Sequence, residues 1–243
     1  MEPARTTAFA TYAGRNLHGQ VVHELGRRVV GGQYPAGAVL PNEDGLCQEL
    51  QVSRTALREA IKVLAGKGLL EARPRIGTRV RERSQWNLLD PDILAWRCET
   101  GADAEFLRHL TELREIIEPA AAQLAAASRT PAQLQAIEAA YAAMASAQDI
   151  GQWVQADLAF HTAVLEATNN PLLVPLAAII GSAMESLLGV TARNADDFNR
   201  ALPEHLKVLD AIRDGDTQGA LHRMASMLGD TRALMRRAVF TVT

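Results

Sequence analysis

The stretch Gln51-Val-Ser-Arg-Thr-Ala-Leu-Arg-Glu-Ala-Ile-Lys-Val-Leu-Ala-Gly66 decides the fold of the N-terminal part of the chain. Ser53 suits a helix N-cap, because its hydroxyl can accept from an unpaired amide of the first turn, and Gly66 suits a stop. Between them Leu57, Ala60, Ile61 and Leu64 recur at the i, i+3, i+4, i+7 spacing of one buried helical face. Arg54 stands in the first turn, while Arg58 and Lys62 fall off the apolar stripe on successive turns. A helix that opens Ser53-Arg54-Thr55 and carries its cations opposite its core has the layout of one lying on DNA. First-turn residues meet base edges there, and later cations meet bases or phosphates.

The flanking segments complete the unit. Asn42 to Leu50 places Leu46, Cys47 and Leu50 on one side, and only Gln51 and Val52 separate it from the Ser53 cap, so two helices must cross at a short turn. Upstream, Leu17, Val21, Leu25 and Val29 keep helical spacing between Asn16 and Val30, closed by Gly31-Gly32. Downstream, Leu69 to Ala72 and Thr78 to Arg81 are short β-prone runs around Arg73-Pro-Arg-Ile-Gly77, a hairpin wing with a basic tip. The pattern predicts a winged helix-turn-helix over residues 1–83, with Arg73, Arg75, Gly77 and Arg79 as wing contacts to DNA.

Charge is divided accordingly. Of the 25 Lys/Arg and 28 Asp/Glu, 13 and 8 lie between Met1 and Gln85, net +5, which leaves 12 and 20, net -8, for the rest. A basic head on an acidic body offers one surface to phosphates and keeps the other off them. The 243 residues suffice for a small domain plus a second one with its own core. No apolar run reaches the length of a signal peptide or membrane span, so a cytoplasmic protein is expected. Cys47 and Cys98 lack CxxC spacing and read as packing residues.

Residues 84–101 read as a linker and interdomain helix: Arg81 to Asn87 is polar, and Asp90-Pro91 is a cap followed by a proline at the first helical position. From Ala102 strand signals vanish, and residues 102–243 read as an all-α bundle for effector binding and dimerisation. Leu107, Leu110, Leu113, Ile117, Ala121 and Leu124 predict one long amphipathic helix. Thr130-Pro131 opens the next, with Leu134, Ile137, Tyr141 and Met144 inward. Further helices are expected at Asp149–Ala167, Pro171–Leu188, Asp196–Arg213 and Asp216–Val239.

Polar residues on apolar stripes mark the chemistry of this bundle. Asp157 and His161 share an arc with Trp153, Phe160 and Val164, four apart, the spacing at which two side chains of one helix grip one ion. His205 lies inward between Leu202, Leu206 and Leu209 on another helix. One carboxylate with two imidazoles suits a divalent transition metal: zinc, with nickel and manganese as alternatives. For a single histidine on such a face, a hydrogen-bonded core residue is the simpler reading. In the polar stretch Thr191 to Asn199, Arg193 and Asn194 are candidates for the mouth of an effector pocket, against a plain solvated loop.

Two family resemblances follow from these residues. Gly32-Gln-Tyr-Pro-Ala-Gly-Ala-Val-Leu-Pro-Asn-Glu, Val52-Ser-Arg-Thr-Ala-Leu-Arg-Glu-Ala, Gly68-Leu-Leu and Gly77-Thr-Arg-Val resemble the DNA-binding domain of GntR-type bacterial transcription regulators. The chain departs at Asp44-Gly45, where many relatives carry Arg-Glu, and at Arg75, which replaces the first glycine of the usual wing tip. Asp157-Leu-Ala-Phe-His161, Asn169-Asn-Pro171 and Glu204-His205-Leu-Lys-Val-Leu-Asp-Ala-Ile-Arg-Asp-Gly-Asp216 resemble the FCD effector domain of the FadR-like subfamily.

The resemblance implies a homodimer that binds a palindromic double-stranded operator, most naturally as a repressor. It also implies a small carboxylate effector at a metal site made by Asp157, His161 and His205. In many members a third histidine completes that site; its position here is Met227, and His222 lies on the solvent side of the same helix. Leu113-Arg-Glu-Ile-Ile-Glu-Pro119 is similar to the family segment whose arginine reaches the effector, so Arg114 is expected to fork onto a carboxylate. The alternative is a surface i, i+4 pair of Arg114 with Glu118. Asn169 joins the candidate effector residues. Gln85-Trp-Asn-Leu-Leu-Asp-Pro-Asp-Ile-Leu-Ala-Trp96 is similar to the same region of sugar-acid (galactonate-type) responsive repressors, which points to a sugar acid. The competing readings are a metal-dependent enzyme acting on a small carboxylate, for which no general base or nucleophile set accompanies the ligands, and a dimerising scaffold.

Overall fold

The computed structural model describes residues 17–101, 103–182 and 198–240. The described residues before Asp103 form one compact unit and those from Asp103 onward another.

The first unit runs α1 (Leu17–Val30), α2 (Glu43–Leu50), α3 (Arg54–Gly66), β1 (Leu70–Arg73), β2 (Gly77–Val80), a single 3-10 turn (Arg83–Gln85) and α4 (Pro91–Glu99). Caps set the helix boundaries. Asn42 accepts from the Gly45 amide at 2.8 Å and Ser53 from the Ala56 amide at 3.2 Å. Gln51 makes the turn between α2 and α3 in the left-handed region, φ 54, and its amide bonds back to the Cys47 and Gln48 carbonyls. The left-handed glycine after α3 is Gly68, φ 80, rather than Gly66, and a side chain there would collide with the Gln85 carbonyl.

The wing is an antiparallel hairpin with Leu70 opposite Val80 and Arg73 opposite Gly77. Its tip is a type II turn: Pro74 follows Arg73, Arg75 has φ 65, and the Ile76 amide donates to the Arg73 carbonyl at 3.1 Å. Residues 37–40 run along the other edge of β2 through Gly37–Val80 and Leu40–Thr78 backbone bonds.

The core of this unit joins Val22, Leu25 and Val29 of α1 to Leu46, Leu57, Leu64, Leu69 and Val80, and it also takes in Trp86, Ile93 and Trp96. The segment expected as linker and interdomain helix therefore packs within the N-terminal unit. Trp96 lies against Gly26, where any side chain would overlap its ring, and its indole N–H donates to His23 Nδ1 at 3.0 Å. Lys67, at the end of α3, sits between Asp90 and Asp92 at 2.9 and 2.6 Å, so its half-buried charge is paired on both sides.

The second unit comprises α5 (Ala104–Ser128), α6 (Pro131–Ala145), α7 (Ile150–Glu166), a 3-10 turn (Val174–Leu176), helical residues 177–182, α8 (Phe198–Asp214) and α9 (Thr217–Phe240). α9 packs along α5 and against α8, and α6 packs along α7. Thr130 and Gln133 close a reciprocal capping box on α6.

Two expectations are corrected. The helix expected from Pro171 is preceded by turns and the 3-10 segment, held by Asn170 accepting from the Leu172 amide at 3.1 Å, while residues 183–197 lie outside the described set. The buried arc of α5 is rotated about one residue from the predicted stripe. Leu107, Leu110, Arg114, Glu118, Ala121, Ala122 and Ala125 face inward, whereas Leu113 and Ile117 are only half-buried and Leu124 is exposed. Alanines on this face let neighbouring helices approach closely, and the two charged residues enter the core because they neutralise each other. Among the described residues no helix is long and apolar enough to cross a membrane.

Candidate functional site

Ser53, Arg54, Thr55, Arg58 and Lys62 all lie on the exposed side of α3, opposite buried Leu57, Ala60 and Leu64. The cations are held by carboxylates. Arg54 Nη2 lies 2.7 Å from Asp44 Oδ1, and Arg58 donates through Nε and Nη2 to Glu43 at 2.9–3.1 Å. Lys62 reaches Glu59 at 2.6 Å. The Arg58 contacts hold the Glu43 carboxyl below the usual carboxylate range. On the wing, Arg73 and half-buried Arg79 share Glu71 at 2.9 and 3.2 Å, Arg75 is exposed at the tip, and Gly77 has φ 107. α3 thus carries Arg54, Arg58 and Lys62 on its surface, and the wing carries Arg73 and Arg75 there with Arg79 half-buried.

The second cluster is buried inside the helical unit. Asp157 and His161, one turn apart on α7, meet His205 of α8, with relative exposures of 2, 2 and 3 %. One ligand atom from each lies within 4.8 Å of the others. His205 Nε2 is 2.8 Å from Asp157 Oδ1, and His161 Nε2 is 3.7 Å from the same oxygen. The far sides of the rings are occupied. His205 Nδ1 contacts the Ala201 carbonyl at 2.9 Å, and His161 Nδ1 lies 2.5 Å from Glu118 Oε2. Phe160 stacks edge-on to both imidazoles and Trp153 to His205, so the rings are walled by aromatic surface.

Arg114 and Glu118 of α5 complete the cluster. Arg114 Nε donates to Glu118 Oε1 at 2.5 Å, and Nη2 lies 3.5 Å from both Glu118 Oε2 and His161 Nε2. Burial pushes the Glu118 carboxyl up, but the charges of Arg114 and His161 outweigh it and hold it at about 2. Burial pushes the His161 imidazole down, yet the Glu118 and Asp157 carboxylates raise it to about 9. Asp157 is held far below the usual carboxylate range, because its contacts with His161 and His205 exceed the opposing effect of burial.

This donor set fits a divalent ion. Asp157 Oδ1 and His205 Nε2 are buried and close, yet neither has a hydrogen bond of acceptable geometry, as expected of lone pairs that converge on a shared centre. His161 Nδ1 is likewise close to Glu118 without hydrogen-bond alignment, so that contact is an ion pair. With its Nδ1 against the Ala201 carbonyl, His205 presents Nε2 as the coordinating nitrogen.

Asp157, His161, His205 and Arg114 are brought together as one site. Asn169 is not: it is exposed, eight residues beyond His161, with φ 55, and it bonds the Ser128 carbonyl at 2.7 Å and Gln133 at 2.9 Å, joining the end of α5 to α6. Arg193 and Asn194 lie outside the described residues. His222 is exposed and Met227 buried, as the helical spacing implied. Glu118 appeared in the sequence only as a surface partner. The available signal was its place with Arg114, Leu107 and Leu110 on a single arc of α5.

Comparison with known proteins agrees with both halves. Residues 17–80 match the family of bacterial regulatory proteins, gntR family, and residues 109–230 match the FCD domain. The chain is 38 % identical over 218 residues to the galactonate operon transcriptional repressor of Escherichia coli K12, covering 87 % of this chain and 95 % of the relative. It is 30 % identical over 210 residues to the putative L-lactate dehydrogenase operon regulatory protein of the same organism, covering 83 and 80 %. The fold is also that of Lar, which controls the agr system of Listeria monocytogenes, with TM-score 0.67, 19 % identity and coverage of 92 and 98 %. The chain belongs to the gntR family of bacterial regulatory proteins, as a DNA-binding transcriptional regulator with a C-terminal FCD domain.

Proposed function

We propose that this regulator is a repressor whose operator affinity is controlled by a small hydroxy-carboxylate, of the sugar-acid class, bound at Asp157, His161, His205 and Arg114. The observation that carries the reading is the convergence of one ligand atom each from buried Asp157, His161 and His205 beside a buried arginine, with Asp157 Oδ1 and His205 Nε2 both lacking a hydrogen bond. Asp157, His161 and His205 would hold a divalent ion, zinc being the best match to buried nitrogen and oxygen donors. When bound, the ion supplies a Lewis-acidic anchor for a carboxylate and its neighbouring hydroxyl. The chain's own contribution is to orient the ligands, exclude water through Phe160 and Trp153, and place the Arg114 guanidinium within reach of the same acid. The names of the galactonate and L-lactate relatives, both hydroxy acids, support this class.

In the N-terminal unit, Ser53, Arg54, Thr55, Arg58 and Lys62 enter the major groove. Arg73, Arg75, Gly77 and Arg79 bring the wing to the backbone. A homodimer on a palindromic operator doubles each contact. The acid lowers operator affinity because it binds one arrangement of the dimer better than the DNA-competent one; by linkage, operator DNA weakens acid binding by the same factor. The test is a titration of hexonates, hexuronates and small hydroxy acids against the complex with an operator recovered by binding selection. Release by at least one acid, lost in Arg114→Ala while DNA binding persists, is expected. No release by any acid contradicts the reading.

A further inference from the structure

We infer that Glu118 is the positioning residue of this site, holding both the imidazole of His161 and the guanidinium of Arg114. The inference rests on the reading of the site given above. Glu118 is 2 % exposed and lies on α5, a third helix packed against the two that carry the ligand atoms. Its two oxygens are divided: Oε1 takes Arg114 Nε at 2.5 Å, and Oε2 lies 2.5 Å from His161 Nδ1. One carboxylate is therefore shared by a candidate metal ligand and the candidate acid-binding cation.

Two consequences follow. The first concerns the ring. The negative charge of Glu118 beside Nδ1 favours a proton on that nitrogen electrostatically, although the contact is not aligned as a hydrogen bond, and this leaves the Nε2 lone pair on the side of Asp157 and His205. Carboxylates behind metal-bound histidines orient the ring and increase its basicity, and their loss costs roughly 10- to 100-fold in metal affinity.

The second concerns charge. A divalent ion and Arg114 set against Asp157 and Glu118 leave one net positive charge in a buried pocket, with both imidazoles neutral as ligands. A monocarboxylate neutralises that charge, whereas a dicarboxylate leaves an excess negative charge in a dry site. Glu118 thus selects singly charged acids, while it engages the guanidinium through Nε and Nη2.

The experiment uses the full-length protein, stripped of metal and reloaded. Zinc affinity is measured by competition with a chromophoric chelator for wild type, Glu118→Gln and Glu118→Ala. Because removing Glu118 alone strands a buried arginine, the pair Glu118→Gln with Arg114→Gln is measured too. Circular dichroism confirms the fold of each. Binding of an aldonate and of the aldarate of the same sugar is then compared in zinc-loaded wild type and Glu118→Gln.

The expected results are zinc binding weakened roughly 10- to 100-fold in all three folded variants and a shift of preference toward the doubly charged aldarate in Glu118→Gln. A merely structural role would lower thermal stability and leave both readouts unchanged. Wild-type zinc affinity in the folded variants with unaltered acid preference overturns the role of Glu118. Failure of the wild type itself to bind zinc or any acid overturns the underlying reading of the site and this inference with it.

Discussion

Asp44 Oδ1 stands 2.7 Å from Arg54 Nη2, so a carboxylate of α2 holds the first cation of the helix proposed to read DNA. Both groups are exposed, and such a pair is weak and sensitive to salt. On DNA the carboxylate would also face phosphates. Asp44→Ala should therefore tighten operator binding a few-fold and steepen its salt dependence, measured by fluorescence anisotropy across a salt series. Unchanged affinity at every salt concentration would place α2 away from the duplex.

Arg54→Ala and Arg58→Ala should each weaken operator binding by roughly 10- to 100-fold and relax sequence preference at one position. The wing cations should behave differently. Loss of Arg73, Arg75 or Arg79 should weaken all sequences alike and flatten the salt slope by about one counterion each. Binding-site selection with each variant distinguishes base reading from phosphate contact. Full operator affinity in both α3 variants would show that another surface meets the bases.

Elemental analysis of purified protein should find close to one divalent ion per chain. His205→Ala should lose it to a mild chelator, since two remaining ligands hold an ion poorly. Met227→His, which supplies the imidazole that many relatives place there, should tighten retention. Metal-free wild-type protein with normal response to its acid would instead make Asp157, His161 and His205 a hydrogen-bonded core.

Proton and ion compete for His161. In metal-free protein its imidazole is raised from 6.5 to about 9, because the Glu118 and Asp157 carboxylates outweigh the opposing effect of burial. The folded state then keeps a proton that the unfolded chain releases. That stabilisation is complete below pH 6.5 and lost as pH rises through 9. Glu118, lowered from 4.5 to about 2, has the opposite sense: its contribution is present above pH 4.5 and lost as pH falls through 2. Because a ligand imidazole must be unprotonated, zinc uptake at neutral pH should release about one proton, and apparent affinity should rise about tenfold per pH unit up to pH 9. Weakly buffered titrations measure the release directly. A flat zinc affinity over that range would contradict the assignment.

Gly26 has no room for a methyl group, since the Trp96 ring occupies the place of its side chain. Gly26→Ala should destabilise the N-terminal unit by about 1–3 kcal/mol through overpacking, and Trp96→Ala by about 3–5 kcal/mol through the void it leaves. Urea unfolding of the full chain, followed by tryptophan fluorescence and circular dichroism, measures both. Equal stability of Gly26→Ala and wild type would mean that α4 is held more loosely than its packing implies.

The N-terminal unit was legible because each of its signals is local. Ser53 caps what it was expected to cap, Leu57 and Leu64 are buried, and the hairpin turns where Pro74 requires it. Asp157, His161 and His205 were legible because charge on an apolar stripe needs a partner. On α5, sequence hydrophobicity chose Leu113 and Ile117 for the core, while the buried arc passes through Arg114 and Glu118. Two opposite charges that neutralise one another read as a polar face in a hydropathy pattern, even though they share one arc with Leu107 and Leu110. Asn169 was a candidate because it opens the family-like Asn169-Asn-Pro171, but its left-handed backbone and its bonds to Ser128 and Gln133 give it a turn's geometry. Gln51, a non-glycine in the left-handed region, gave no sequence signal at all.

The seating of Trp86, Ile93 and Trp96 among the side chains of α1 bears on where this protein can be cut. A polypeptide ended at Arg83 would keep every part of the helix-turn-helix and wing, yet it would lay open an apolar trench along α1 and leave Lys67 without its two aspartates. Such a fragment should clump during purification. One that runs through Gly101 carries its own cover, so the smallest piece of this regulator able to travel alone, or to be grafted onto another sensor, includes the helix that lies beyond the wing.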